Sequence, residues 1–177
     1  MELGTQAPEF LLPDTVSGNM VSFSEVKGTK GTLVYFICNH CPYVVHVMET
    51  LARLSNEWKK KGLGVVAISS NDVANYPDDS PANMKDFAAQ YGFEFPYLYD
   101  ESQEVAKVYD AACTPDIYLF DQDQRCYYHG RLDGSRPGND IPVDGADLSL
   151  AVISLFDGKP APQPQIPSAG CNIKWKA

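Results

Sequence analysis

"TLVYFICNHCPYVVHV", residues 32–47, decides the fold. Thr32 to Ile37 is a short β-branched and aromatic run, preceded by "KGTKG", and reads as a buried strand. After it Val44, Val47, Met48, Leu51, Leu54 and Trp58 recur at helical spacing to about Lys61, where "KKGLG" supplies a cationic last turn and a glycine stop. A strand therefore feeds a long helix, and Cys38 and Cys41 stand at the joint with Pro42 directly after them. The unpaired N–H groups and positive dipole end of a helix that begins between Asn39 and Pro42 favour thiolate over thiol. Such settings lower a cysteine pKa from ~8.5 into the range ~3.5–7.5. Pro42 suits a first helical turn yet pushes Cys41 away from helical geometry, which leaves either Asn39 or Cys41 as the N-cap. With Cys38 outside the regular helix and Cys41 in or beside its first turn, the pattern predicts an exposed attacking thiol at 38 and a more buried resolving thiol at 41.

Outward from this joint, "LGVVAISS" (63–70) is an uncharged strand of the kind covered on both faces in a parallel sheet. Ser80 and Pro81 read as N-cap and first position of a helix over "PANMKDFAAQYG", which Gly92 ends. A shorter helix fits "SQEVAKVY" from Ser102, and "DIYLFDQDQRCYYHGRL" reads as two strands around a polar turn at Asp121–Gln124. Leu148, Ala151, Val152, Leu155 and Phe156 form the apolar stripe of a last helix, with Gly158 beyond it. "KPAPQPQIP" (159–167) is expected as extended polyproline-like surface chain. An N-terminal β extension with a turn at "SGN" (17–19) precedes all of this. The order predicts an α/β fold, a central mixed β-sheet flanked by helices on both faces. Residues 1–158 form one domain, and the tail 159–177 packs on it, with Ile173 and Trp175 as anchors.

Composition narrows the function classes. Hydrophobic residues make up 44% and charged residues 21%, which excludes disordered and fibrous classes. Lys and Arg total 14 against 23 Asp and Glu, a net charge of -9 without a basic run, so nucleic acid and anionic membrane are poor partners. The N-terminus lacks the basic start and apolar run of a secretory signal, and no stretch nears the roughly 20 apolar residues of a membrane span; the expected location is cytoplasmic. Five cysteines, at 38, 41, 113, 126 and 171, are odd in number and unevenly spaced, which argues against a disulfide scaffold.

"APEFLLPD" (7–14), "FICNHCPYV" (36–44), "TPDIYLFD" (114–121) and the element order together resemble the thioredoxin superfamily, specifically its peroxiredoxin-like branch that carries a thioredoxin-type CxxC. The resemblance implies a thioredoxin fold and a thiol-disulfide oxidoreductase. In it Cys38 would attack a substrate disulfide and Cys41 resolve the mixed disulfide. Pro115 would be the cis-proline facing the CxxC, and substrate backbone would lie along Thr114 and Pro115. Asn39, His40 and Pro42 would shape the site; a His beside the second cysteine is similar to the arrangement in disulfide isomerases, where a donating His40 would stabilise the thiolate, the alternative being an exposed turn residue. The implied partners are a protein or small-molecule disulfide, or a peroxide, and a reductant for regeneration; no metal or organic cofactor is required.

Rival readings rest on other residues. Zinc would need Cys38 and Cys41 with Cys126 and His129, but the gap is long and the last two alternate along a strand toward opposite faces. A thiol peroxidase would use Cys41 or Cys38 as the peroxidatic thiol. Laid against peroxiredoxins, Cys41 falls near their peroxidatic cysteine, but the threonine three residues before it and the peroxiredoxin arginine are absent. A non-catalytic thioredoxin-like binding domain suits a packed Cys126 better than two thiols at a helix start. Cys113 and Cys171 are candidate accessory thiols: the resemblance places Cys113, two residues before Pro115, close enough to the CxxC to accept or relay its disulfide, the alternatives being packing or a Cys113–Cys171 pair. Asp72, Asp78, Asp79 and Asp133 are expected as solvated loop charges, and Arg131 and Arg136 as surface residues. Gly130, Gly134 and Gly138 do not form a phosphate loop.

Overall fold

Residues Gly31–Phe36 are buried at every position and form the middle strand of a five-stranded sheet. The computed structural model describes residues 1–177. In chain order its elements are β1 (Leu11–Pro13), β2 (Met20–Ser22), α1 (Phe23–Val26), β3 (Gly31–Phe36), α2 (Pro42–Lys60), β4 (Leu63–Ser69), α3 (Pro81–Gln90) and β5 (Tyr97–Tyr99). They continue with α4 (Glu104–Val108), β6 (Cys113–Thr114), β7 (Asp116–Phe120), β8 (Cys126–Gly130), α5 (Ala146–Phe156) and β9 (Cys171–Asn172). The main sheet runs β5-β4-β3-β7-β8, with β3, β4 and β5 parallel and β7 and β8 antiparallel to their neighbours. This is the thioredoxin-like mixed sheet. No helix is long and apolar enough to cross a membrane.

Two apolar layers hold β3 in place. Leu33 and Tyr35 point into a cluster with Val44, Met48 and Leu51 of α2, Met84 and Phe87 of α3, and Leu148 and Val152 of α5. Val34 and Phe36 point the other way, onto Phe10, Phe23, Val105, Tyr109 and Ile173. Burying one such side chain contributes roughly 1.5–3 kcal/mol, so coverage on both faces outweighs the modest strand propensity of any single residue. β5, three residues directly after Pro96, has no periodicity of its own and was not assigned from sequence; it exists because Ala67–Ser69 offer it a parallel edge.

The β7–β8 hairpin carries a bulge that overturns an expectation. Phe120 pairs with Cys126 and Leu119 with Tyr128, leaving Tyr127 as the extra residue. The shift puts Cys126 on the face of Phe120 and His129, which stacks on Tyr118, on that same face, where strict alternation placed them on opposite faces. They still have separate partners: Cys126 is packed at 3% exposure, and His129 Nε2 sits 2.8 Å from Asp116 Oδ1.

The acidic loop residues are also not uniformly solvated. Asp72, Asp79 and Asp133 are 4%, 0% and 4% exposed. Asp133 accepts backbone N–H bonds from Ser135 (2.9 Å), Asp144 (3.0 Å) and Gly145 (2.8 Å), fastening the loop before α5. Buried carboxylates persist where fixed amides replace water. In the tail, Ile173 is buried whereas Trp175 is 43% exposed, so only the first anchors the tail by burial. Asp133→Ala should cost about 3 kcal/mol in denaturant unfolding, with Asp133→Asn milder, because three amides lose a charged acceptor; a loss under about 0.5 kcal/mol would show that water satisfies them.

Candidate functional site

Pro42 sets where α2 begins. It takes the first helical position, where no N–H is needed, and holds Cys41 extended at φ -68 and ψ 125 as the N-cap. The choice left open between Asn39 and Cys41 is thereby settled, and the positive end of α2 meets Cys41. Across from it, β6 leads into the cis peptide bond between Thr114 and Pro115. Cys38 Sγ lies 3.6 Å from Thr114 Oγ1, and Cys41 Sγ lies 3.5 Å from the Thr114 carbonyl oxygen.

Both thiols are sealed. Cys38 is 1% and Cys41 0% exposed, so the expected exposed thiol at 38 is not found. Their ionisation also runs opposite to expectation. The Cys38 thiol faces Cys41 and lowers the Cys41 pKa, helped against burial by the Cys171 thiol and by the N–H groups of Val44 and Cys171. Val44 N–H is bonded to the Cys41 carbonyl at 3.0 Å, so its sulfur feels that donor as a dipole more than as an aligned hydrogen bond. Cys38 is pushed up, first by its thiol hydrogen-bonding toward Cys41, then by burial and by the carboxylate of Asp79, and least by the charge on Cys41, with only the Thr114 hydroxyl opposing. The two shifts run in opposite directions, Cys41 below and Cys38 above the ordinary cysteine range. The Thr114 carbonyl beside Cys41 favours the protonated form, but it is one acceptor against several donors.

Asp79 is the group that sequence reasoning placed in solvent. The 3-10 turn at Pro77–Asp79 folds it over the CxxC, where it accepts from Asn39 N–H (2.8 Å) and Asn71 Nδ2 (2.9 Å). Asn39 is further held by Tyr97 Oη donating to its Oδ1 (2.9 Å) and by its own Nδ2 donating to the Asp78 carbonyl (3.0 Å). His40 is neither a bare turn residue nor a direct thiol partner. Its Nδ1 lies 2.6 Å from Asp79 Oδ2, a close contact without hydrogen-bond alignment, and its ring stacks on Tyr76 at 5.8 Å. Ligand atoms of Cys38, His40 and Asp79 lie within 4.8 Å of one another. "YPDDSP" (76–81) carries no sign of this role beyond an acid between prolines, since contact with Asn39 spans 40 residues.

The strand edge expected for substrate is filled by the chain itself. β9 pairs antiparallel with β6, Cys171 opposite Thr114 and Asn172 opposite Cys113. This register turns Cys171 toward the CxxC cluster, against which it packs, and away from Cys113, so the two accessory thiols are not a pair. Cys113 Sγ instead lies 3.6 Å from the Pro115 carbonyl, and burial raises its pKa to about 12. Beside Pro115 a cavity of about 290 Å³ is lined by Tyr43, Arg131, Ser135, Arg136 and Ile166. Arg131 is paired with Asp147, so it does not present a free charge there.

A CxxC at the start of a helix, opposite a cis-proline on a mixed five-stranded sheet, defines a thioredoxin-fold protein. The AhpC/TSA family pattern matches residues 3–129, and the chain belongs to that family. Thiol-disulfide oxidoreductase ResA of Bacillus thuringiensis (strain Al Hakam) is 28% identical over 123 residues, 70% of this chain and 66% of that protein, so the chain spans just under two thirds of that relative's length. A solved structure described as an uncharacterized conserved protein from Geobacillus kaustophilus superposes with a TM-score of 0.97 at 55% identity, covering 99% of this chain and 93% of that one. A thioredoxin-like protein in the oxidized form superposes at 0.69 with 19% identity over 90% of this chain and 99% of its own, a likeness of fold alone.

The site predicts that the reduced protein shows the ultraviolet absorption of one thiolate at neutral pH, lost only as the solution becomes acidic. Cys41→Ser should remove it and Cys38→Ser keep it. Titration of the parent in the ordinary cysteine range would show that Cys38, Cys171 and the helix start together do not hold a charge on Cys41.

Proposed function

We propose that the protein is a thiol-disulfide oxidoreductase using the Cys38-Asn-His-Cys41 dithiol. The observation that carries this reading is geometric: two thiols at the start of α2 converge on the residue before the cis-proline, Cys38 Sγ 3.6 Å from Thr114 Oγ1 and Cys41 Sγ 3.5 Å from the Thr114 carbonyl oxygen, with the Cys41 pKa lowered and that of Cys38 raised. The sequence expectation had Cys38 attack and Cys41 resolve; we take the opposite order from the direction of the two pKa shifts. Cys41 forms the bond to an incoming sulfur, a substrate disulfide giving up its other sulfur as thiolate, and Cys38 then displaces the bound sulfur to close Cys38–Cys41. Substrate gains two electrons, the dithiol loses two, and a dithiol reductant restores it. Sulfur carries the electrons throughout, so neither metal nor organic cofactor is needed. Asn39, His40 and Pro42 fix the loop, and Thr114 and Pro115 form the opposing wall. Names of similar proteins support the reading, since ResA relatives are called thiol-disulfide oxidoreductases. We also place the protein in the cytoplasm, on an odd, unscaffolded set of five cysteines and the acidic balance of charge.

Thiol peroxidase is the second reading, favoured by family membership and by the lowered pKa of Cys41, which stands near the peroxidatic position. In a coupled assay with a dithiol reductant, the oxidoreductase reading expects turnover of a protein disulfide well above turnover of hydrogen peroxide, and loss of at least about a hundredfold in Cys41→Ser. Parental activity in Cys41→Ser would refute the assignment, and the reverse substrate preference would select the peroxidase.

A further inference from the structure

The redox couple is closed to solvent, and the segment beside it is not a loose flap. On one side of Cys171, Arg131 N–H donates to the Ile166 carbonyl (2.9 Å) and Ser168 Oγ to the Gly130 carbonyl (2.9 Å). On the other, Ile173 N–H donates to the Ala112 carbonyl (3.2 Å), Lys174 N–H to Asn71 Oδ1 (2.9 Å), and the Lys174 carbonyl accepts from Asp72 N–H (2.8 Å) and Gln103 Nε2 (2.9 Å). Gly170 lies so close to β6 that a Cβ there would come 2.0 Å from the Thr114 carbonyl oxygen. Lifting β9 would break this whole set. Cys171 is the partly exposed thiol of the three at the site, the other two being buried.

We propose that Cys171 is a third exchange thiol, through which outside disulfides and dithiols reach the sealed couple by way of a Cys41–Cys171 disulfide. Its register opposite Thr114, whose carbonyl touches Cys41 Sγ, and its packing on the cluster that holds Cys38 and Cys41 carry the assignment. The relay rests on the reading of Cys38 and Cys41 as a redox couple. Cys171 attacks an outside disulfide, forms a mixed disulfide, and releases one outside thiol that takes the Cys171 proton. Cys41 thiolate then attacks Cys171 Sγ, the Cys41–Cys171 bond forms, and the second outside sulfur leaves and is protonated by water. Finally Cys38 attacks Cys41 Sγ, closing Cys38–Cys41 and passing its proton to Cys171. One outside disulfide is reduced to two thiols and one protein dithiol is oxidised. Regeneration by an outside dithiol runs these exchanges in reverse. Cys41, the more acidic sulfur, is the better leaving group when a reductant strikes Cys171.

The test uses the full chain, reduced and then mixed with oxidised glutathione, quenched in acid, alkylated and mapped by peptide mass. Cys38→Ser should accumulate Cys41–Cys171 with no glutathione retained. Cys171→Ser should form Cys38–Cys41 roughly tenfold or more slowly than the parent, because the outside disulfide must then reach a buried sulfur. Glutathione held on Cys41 in Cys38→Ser while Cys171 stays free would overturn the relay and leave the couple standing, as would a parental rate in Cys171→Ser. A parent that never forms Cys38–Cys41 would sink couple and relay together.

Discussion

The positive end of α2 meets a cysteine, Cys41, which takes the N-cap position without a side-chain capping hydrogen bond. Pro42 fixes the meeting point, because the helix cannot begin before it and the residue ahead of it must stay extended. A helix end alone contributes typically 0.3–1 kcal/mol, under about one pKa unit, which is too little to separate two thiols decisively. The rest comes from neighbours: Cys38 hydrogen-bonds toward Cys41, Cys171 adds donors, and the buried carboxylate of Asp79 opposes charge on Cys38. Polarity of the couple is therefore a joint product of a local feature, proline after the second cysteine, and of a contact made 40 residues away.

This division explains what could be read in advance. The strand from Thr32 and the helix to Lys60 were legible because their residues are covered on known faces, so periodicity and geometry agree. The N-cap of α3 was equally plain: Ser80 Oγ accepts from Asn83 N–H as its position before Pro81 suggests. β5 was not, since three residues after a proline carry too little pattern and depend on the edge of β4. Alternation failed at Cys126 and His129 for a similar reason, because one unpaired residue in β8 shifts every side chain after it.

The site divides along the same line. Cys38, Cys41 and Pro42 announce themselves by adjacency, whereas Asp79 and Cys171 act only through tertiary placement. Asp79 belongs to a loop whose composition suggests solvent, and it is buried because Asn39 and Asn71 supply the hydrogen bonds that water would otherwise give. For Cys171 the deciding fact is register. Had β9 paired one residue differently, the thiol would face away from Cys41 and toward Cys113.

Burial of the couple also sorts the two chemical readings by the size of what can reach it. A peroxide is small and needs only a channel to Cys41, whereas a protein disulfide needs a strand edge and room for a second backbone. That edge is already occupied by β9, held against Thr114 at a distance that only Gly170 permits. Direct docking of a peptide would have to remove a segment fastened on both sides, while exchange at the partly exposed Cys171 leaves every one of those hydrogen bonds in place. Disulfide chemistry in a site this closed is therefore most economical when the tail that blocks the edge also supplies the sulfur.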